Sequence, residues 1–151
     1  MDGLEGMSEE EQREQALTVI TEAFKLCDEY EGILSNMREG TDIYKINNAA
    51  GQPVAVSDTA IEVIKKGIDY GQLSEGRFDI TIGGVSKLWD FHQVDENGEK
   101  TGAVPDTEVL REAVSHVGYE QIVIEGNTVR LLDPQAQIDL GGIAKGYIAD
   151  K

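Results

Sequence analysis

The feature that most narrows the fold is the order of its regular segments: three helical stretches come first, and a hairpin follows them instead of alternating with them. The hairpin is read from two apolar runs, 121–125 and 128–132, that flank Gly126 and Asn127. Both turn residues tolerate positive φ at little cost, so a two-residue antiparallel connection is expected. A parallel βαβ sheet requires strands that alternate with helices, and this order does not supply them. The fold class expected is therefore α+β.

The helices announce themselves locally. Ser8-Glu9-Glu10-Glu11 has the form of a capping box, a hydroxyl for the exposed first-turn amides with a glutamate three residues on. Ala16, Leu17, Ile20, Ala23, Phe24, Cys27 and Tyr30 then recur at spacings of three and four, which predicts an amphipathic helix over 9–31. Cys27 on that stripe is expected to be a small buried apolar residue. Residues 32–52 read as a loop with at most a short helix, 54–56 as a brief strand, and 58–70 as a second helix capped by Ser57 and striped by Ile61, Ile64 and Ile68. Pro105 opens a third helix over 106–117, after a polar surface loop at 95–100.

Charge excludes several functions. Thirteen Lys and Arg stand against 29 Asp and Glu, a net charge of −16, and no basic stripe exists to displace counterions from a nucleic acid. An anionic membrane surface is disfavoured on the same grounds. Half of the imbalance lies in residues 1–31, where ten acids face two bases. The acidic side of the first helix is most simply a solvated face, with a docking face for a partner as the alternative. His92 and His116 lie far apart without Cys or paired acids at ligand spacing, so zinc has weak support. No apolar run reaches the roughly 18–20 residues needed to span a bilayer, and no signal segment or lipid-acceptor cysteine motif is present.

Two glycine-containing segments carry the chemistry. Residues 76–84, GRFDITIGG, set a short alternating apolar run between glycines, where backbone can approach a ligand closely. Residues 137–150 run from a short strand through Gly141 and Gly142 into a helix start. Paired glycines there leave free N–H groups toward the gap, a geometry that binds phosphate, and Lys145 one turn in adds positive charge. An ordinary strand-to-helix connection has the same form. Asp79 reads equally as a turn-capping carboxylate, and Asp139 as a cap on the helix that follows.

Three segments in this order and separation, LSNMREGTDIYKIN (34–47), SEGRFDITIGGVSKLW (74–89) and IDLGGIAKGYIAD (138–150), resemble the N-terminal half of the ApbE family. These are FAD:protein FMN transferases, long labelled thiamine-biosynthesis lipoproteins. The resemblance implies a T-fold-like α+β domain and a magnesium-dependent (Mg2+) transfer of FMN from FAD to a threonine or serine hydroxyl of a target flavoprotein, with AMP released. Some relatives instead hydrolyse FAD to FMN and AMP.

Residue by residue, the resemblance places Arg77, Phe78 and Asp79 against the flavin nucleotide, Asp139 as a further FAD contact and Lys145 near the phosphates. It puts the backbone carbonyl of Gly142 on magnesium, and Met37 where many relatives carry a tyrosine that stacks on the isoalloxazine ring. It also implies a target subunit of a membrane redox complex and an extracytoplasmic, membrane-attached location. The match runs from about Leu17 to the last residue, so residues 1–151 are expected to form a partial domain without the C-terminal half that carries the metal-binding Asp and Thr. Such a piece is expected neither to hold magnesium tightly nor to transfer FMN by itself. The alternatives are a binding module that keeps nucleotide affinity or pairs with a separate chain, and a non-catalytic acidic interaction module.

Overall fold

The computed structural model describes residues 7–89, 96, 98 and 104–151. Helix α1 spans Glu9–Leu34, and its capping box forms as expected: Glu11 N–H donates to Ser8 Oγ, and Ser8 N–H donates to Glu11 Oε2 at 2.8 Å. Three glutamates in its first turn sit at the positive end of the helix dipole. The helix runs past residue 31 because Ile33 and Leu34 turn into the core.

The rest of its apolar stripe does not. Residues 9–25 are exposed throughout, with Leu17 at 56% and Phe24 at 68%, and Cys27, expected to be buried, is exposed as well. The reason is length. At about 1.5 Å per residue a 26-residue helix is about 39 Å long, and α1 meets the other helices through its last turns, at Tyr30, Ile33 and Leu34. Periodicity identifies an apolar face without saying whether these residues supply a partner for it.

Helix α2 (Asp42–Asn47) is capped by Thr41, whose Oγ1 accepts from Tyr44 N–H at 3.2 Å. Strand β1 (Val54–Ala55) leads to α3 (Asp58–Leu73), three residues longer than predicted and capped by Ser57. Gly67 and Gly71 lie on its inner face, where a Cβ would stand 2.6 Å from Ile80 and 2.6 Å from Tyr119, so both side chains press directly on the helix backbone. A short helix α4 (Gly83–Ser86) continues as a 3₁₀ turn over Lys87–Trp89. Helix α5 (Thr107–Ser115) is capped by Asp106 and is shorter than the predicted 106–117. The loop expected over 95–100 falls largely, and His92 wholly, outside the described residues.

The hairpin forms as β2 (Ile122–Glu125) and β3 (Thr128–Leu131), with Glu125 opposite Thr128. Its turn differs from expectation. Gly126 has φ +58°, but Asn127 keeps a negative φ, the sign pattern of a type II′ turn with glycine in its first position. Strand β1 pairs antiparallel with β3, giving a three-stranded sheet in the order β1-β3-β2. Val129 and Leu131 face inward while Arg130 faces out, the period-two alternation of a half-covered sheet. The core between sheet and helices is built on Ile43, Val63, Ile64, Ile80, Ile138 and Leu140. Helix α6 (Gly141–Ala149) closes the described chain, and the architecture is α+β. Among the described residues no helix is long and apolar enough to cross a membrane.

Candidate functional site

The chain leaves α3 through left-handed Glu75 (φ +56°) and Gly76 (φ +76°), and Ser74 Oγ accepts from Phe78 N–H at 2.9 Å. Asp79 then organises the turn. Its Oδ1 accepts from Thr81 N–H at 2.7 Å and from Thr81 Oγ1 at 2.6 Å, while its Oδ2 accepts from Tyr119 N–H at 2.8 Å. Thr81, 1% exposed, completes the link by accepting from Gly118 N–H at 2.8 Å. Asp79 is thus a turn carboxylate that ties residues 79–81 to 118–119, with both oxygens committed to protein donors.

The second segment lies beside the first. Residues 80–83 and 137–139 run parallel: Asp139 N–H donates to Ile80 O at 2.7 Å, and Gly83 N–H to Gln137 O at 2.9 Å. The N-cap of the following helix is Leu140, and Asp139, one residue before it, accepts at Oδ1 from Gly141 N–H at 2.8 Å, while Ile143 and Ala144 N–H groups donate to Leu140 O. The expectation of two free glycine amides at this turn is therefore half met. Asp139 occupies the Gly141 N–H, and among the described residues the Gly142 N–H has no partner.

These pieces enclose one cavity of about 430 Å³, lined by Arg77, Phe78, Asp79, Asp139, Gly141 and Gly142. Five of the seven expected site residues meet there. Phe78 forms its aromatic wall, edge-on to Tyr70 at 6.2 Å between ring centroids, and a Cβ at Gly142 would stand 3.0 Å from the Phe78 ring. Arg77 is exposed at the mouth and carries the positive charge. Across Phe78 and Gly142 a second cavity of about 540 Å³ is lined by Lys66, Tyr70 and Tyr147. The Tyr147 hydroxyl donates to Glu62 Oε2 at 2.6 Å, and burial together with that carboxylate raises the phenol above its usual ionisation range.

The other two residues stand apart. Lys145 lies on the opposite side of α6, in a groove of about 520 Å³ shared with Asp139, Cys27 and Tyr30 of α1. Met37 lines none of these cavities and is 73% exposed, its N–H donating to Ser35 Oγ. A magnesium ion takes six oxygens in near-octahedral array, usually with a carboxylate. No group of three or more His, Cys, Asp or Glu assembles among the described residues. The described donor set does not by itself fit magnesium.

Three contributors were not foreseen. Thr81 and Tyr119 serve Asp79, and Asn47 pairs through its side-chain amide with the backbone of Ile138, 91 residues away. The signal for Asn47 was its place at the end of the first family-like segment, and for Thr81 its place two residues after Asp79, the spacing of a local carboxylate turn. Tyr119 and Ile138 lie 40 and 91 residues from their partners, too far along the chain for spacing to reveal.

The ApbE family model matches residues 7–151. The chain belongs to the ApbE family. It is 31% identical over 140 residues to the FAD:protein FMN transferase of Treponema pallidum, a match covering 87% of this chain and 37% of that protein. With the FAD:protein FMN transferase of Vibrio cholerae it shares 32% identity over 134 residues, 88% of this chain and 39% of the relative. Among solved structures, the flavin transferase ApbE from Vibrio cholerae superposes with a TM-score of 0.76 at 30% identity, over 97% of this chain and 44% of its own. The ApbE protein of Thermotoga maritima superposes with a TM-score of 0.76 at 29% identity, over 88% of this chain and 42% of its own. This ApbE-family chain thus spans about two fifths of the length of the curated relatives it matches.

Proposed function

We propose that this chain is the nucleotide-facing part of an FAD:protein FMN transferase. The observation that carries the reading is the meeting of residues 77–79 and 139–142 around one cavity at the start of α6, in a chain whose relatives bear that name. In the reaction, a threonine or serine oxygen of the target bonds to the FMN-side phosphorus of FAD. The bond from that phosphorus to the bridging oxygen breaks, AMP leaves with that oxygen, and the hydroxyl proton passes to base or solvent. Phosphoryl transfer of this kind depends chiefly on positioning and on neutralising oxygen charge.

Each group here has a part that suits it. The guanidinium of Arg77 and the amide-bearing end of α6 attract the pyrophosphate. Phe78 gives a flat apolar face to a ring, while Asp79 holds Phe78 and Arg77 in place from behind. Asp139 lines the cavity, and its Oδ2, without a partner among the described residues, is suited to accept from a ribose or adenine donor. Magnesium, when bound, would neutralise pyrophosphate charge. The Gly142 carbonyl and Asp139 would form its side of the shell, and the remaining ligands must come from outside the described residues. Lys145 adds charge from the α1 groove, and Met37 presents a thioether in place of a stacking tyrosine. A target in a membrane redox complex, acted on outside the cytoplasm, is the partner we propose from the family resemblance.

Titrating the chain into FAD and following flavin fluorescence tests the binding half of this reading. Saturable quenching with FAD, weakened by Arg77→Ala, is the expected result, and a flat titration would overturn it. Incubation of the chain alone with FAD, magnesium and a target flavoprotein is expected to leave the target without covalent flavin.

A further inference from the structure

We infer that Asn47 is a positioning residue that sets the orientation of the nucleotide-facing turn at 139–142; what that turn binds rests on the function proposed above. Ile138 is fully buried and has neighbours on two sides. On one side, residues 80–83 pair with the backbone of Gln137 and Asp139. On the other, where a sheet would place its next strand, the carboxamide of Asn47 takes that place. Its Oδ1 accepts from Ile138 N–H at 2.7 Å and its Nδ2 donates to Ile138 O at 2.9 Å. A primary amide offers one acceptor and donor in nearly the fork a peptide unit presents, so a single side chain satisfies both backbone groups of Ile138.

Asn47 is itself firmly held. It is the last residue of α2, whose Ile43 and Ile46 are buried and whose first turn is capped by Thr41. From Ile138 the chain passes directly through Asp139 and Leu140 to the Gly142 amide. The residue that Asn47 grips, Ile138, is one residue from Asp139 and four from Gly142, and Asn47 does not line the cavity. It therefore acts through Ile138 and not by touching a ligand. The arrangement also explains how the three family-like segments meet: the first ends at Asn47, the second supplies Ile80 and Gly83, and the third begins at Ile138.

The test compares Asn47→Ala, Asn47→Asp and the control Asn48→Ala, whose side chain bonds only Tyr44 O on the exposed end of the same helix. Two readouts are taken on folded protein well below its melting temperature: FAD affinity relative to the parent chain at each pH, and the backbone amide NMR signals of Gly141 and Gly142 without FAD. In Asn47→Asp, the ionised carboxylate loses the donor and sets a charge against Ile138 O. Protonation of that carboxyl restores the donor–acceptor fork, which a purely space-filling role would not require. Asn47→Ala is expected to weaken FAD binding roughly tenfold at all pH values. Asn47→Asp should match it near about pH 8 and recover most of the loss near about pH 5, where a carboxyl next to a carbonyl protonates. The glycine amide signals should move and return in parallel, and Asn48→Ala should change neither readout.

FAD affinity of both Asn47 variants within about twofold of the parent at about pH 8 would overturn the inference, as would unmoved glycine amides or equal recovery in Asn47→Ala. If Asn47→Ala does not fold, Asn47→Ser replaces it with the same expectations. A parent chain that fails to bind FAD would remove the proposed function. The glycine amides would then decide alone whether Asn47 sets the turn.

Discussion

Asp79 and Asp139 have the same expected role and similar local sequence, yet the structure gives them different mechanical duties. Replacing Asp79 by alanine removes an acceptor used by Thr81 N–H, Thr81 Oγ1 and Tyr119 N–H at 2.6 to 2.8 Å. The threonine hydroxyl can turn elsewhere, but the two amides cannot. Each buried donor left without a partner costs about 1–3 kcal/mol, and water can reach one of them because Asp79 is only partly buried, so a loss of about 2–4 kcal/mol is expected. Asp139→Ala removes a single acceptor from Gly141 N–H at an exposed helix start, the loss of one cap, at about 0.5–1.5 kcal/mol. Urea denaturation with the circular dichroism of the helices as probe measures both. The expected order is Asp79→Ala well below Asp139→Ala, with Thr81→Val also costly because it breaks the neighbouring bond of the same tie, Gly118 N–H to Thr81 Oγ1. Equal losses at positions 79 and 139 would refute the idea that Asp79 is bound into the turn.

The linkage of His116 to Asp133 gives a pH dependence. Their 2.6 Å bond holds the imidazole protonated above its usual range and Asp133 ionised below its usual range, with Glu112 adding a weaker pull on the histidine. A raised histidine contributes fully below its ordinary value of about 6.5 and loses that contribution as pH climbs through the raised one. A depressed aspartate contributes fully above about 3.9 and loses it as pH falls through the depressed one. The urea midpoint should therefore drop as pH rises above about 6.5, and His116→Gln should flatten that drop; an unchanged slope would count against the pair. On α1, Leu34→Ala should cost about 2–5 kcal/mol because Leu34 is 6% exposed within the core. Phe24→Ser should stay within about 0.5 kcal/mol, and a large loss there would mean that the exposed stripe packs on this chain after all.

What could be read from the amino acids follows how far each signal reaches along the chain. The caps at Ser8 and Ser57 act within three residues, and the helices they open start close to where periodicity puts them, whereas Thr41 opens the six-residue α2 inside a stretch that reads as a loop with at most a short helix. The hairpin is equally local. Pairing of β1 with β3 joins Val54 to Val129, and nothing near either residue announces the other. The apolar stripe of α1 is the opposite case, a strong local pattern whose expected consequence, burial of Cys27, depends on a partner that the described residues do not contain.

The site divides along the same line, and the division bears on what its residues can do. Arg77, Phe78 and Asp79 are neighbours in sequence and stay neighbours in space, so their convergence on the cavity needed only the turn at Glu75 and Gly76. That Asp79 faces backward to Tyr119 while Arg77 faces the opening depends on a contact 40 residues away. Asn47 is further still from Ile138, and its amide looks in the sequence like any polar residue at a helix end. A family motif records that these residues are kept together but not which of them touch a ligand and which hold the others. In this chain the holding residues are Asn47, Thr81 and Asp79. Substitutions there should act on stability and on the pose of the turn together, whereas a change at Arg77, exposed and without a side-chain tie among the described residues, should act on nucleotide affinity alone.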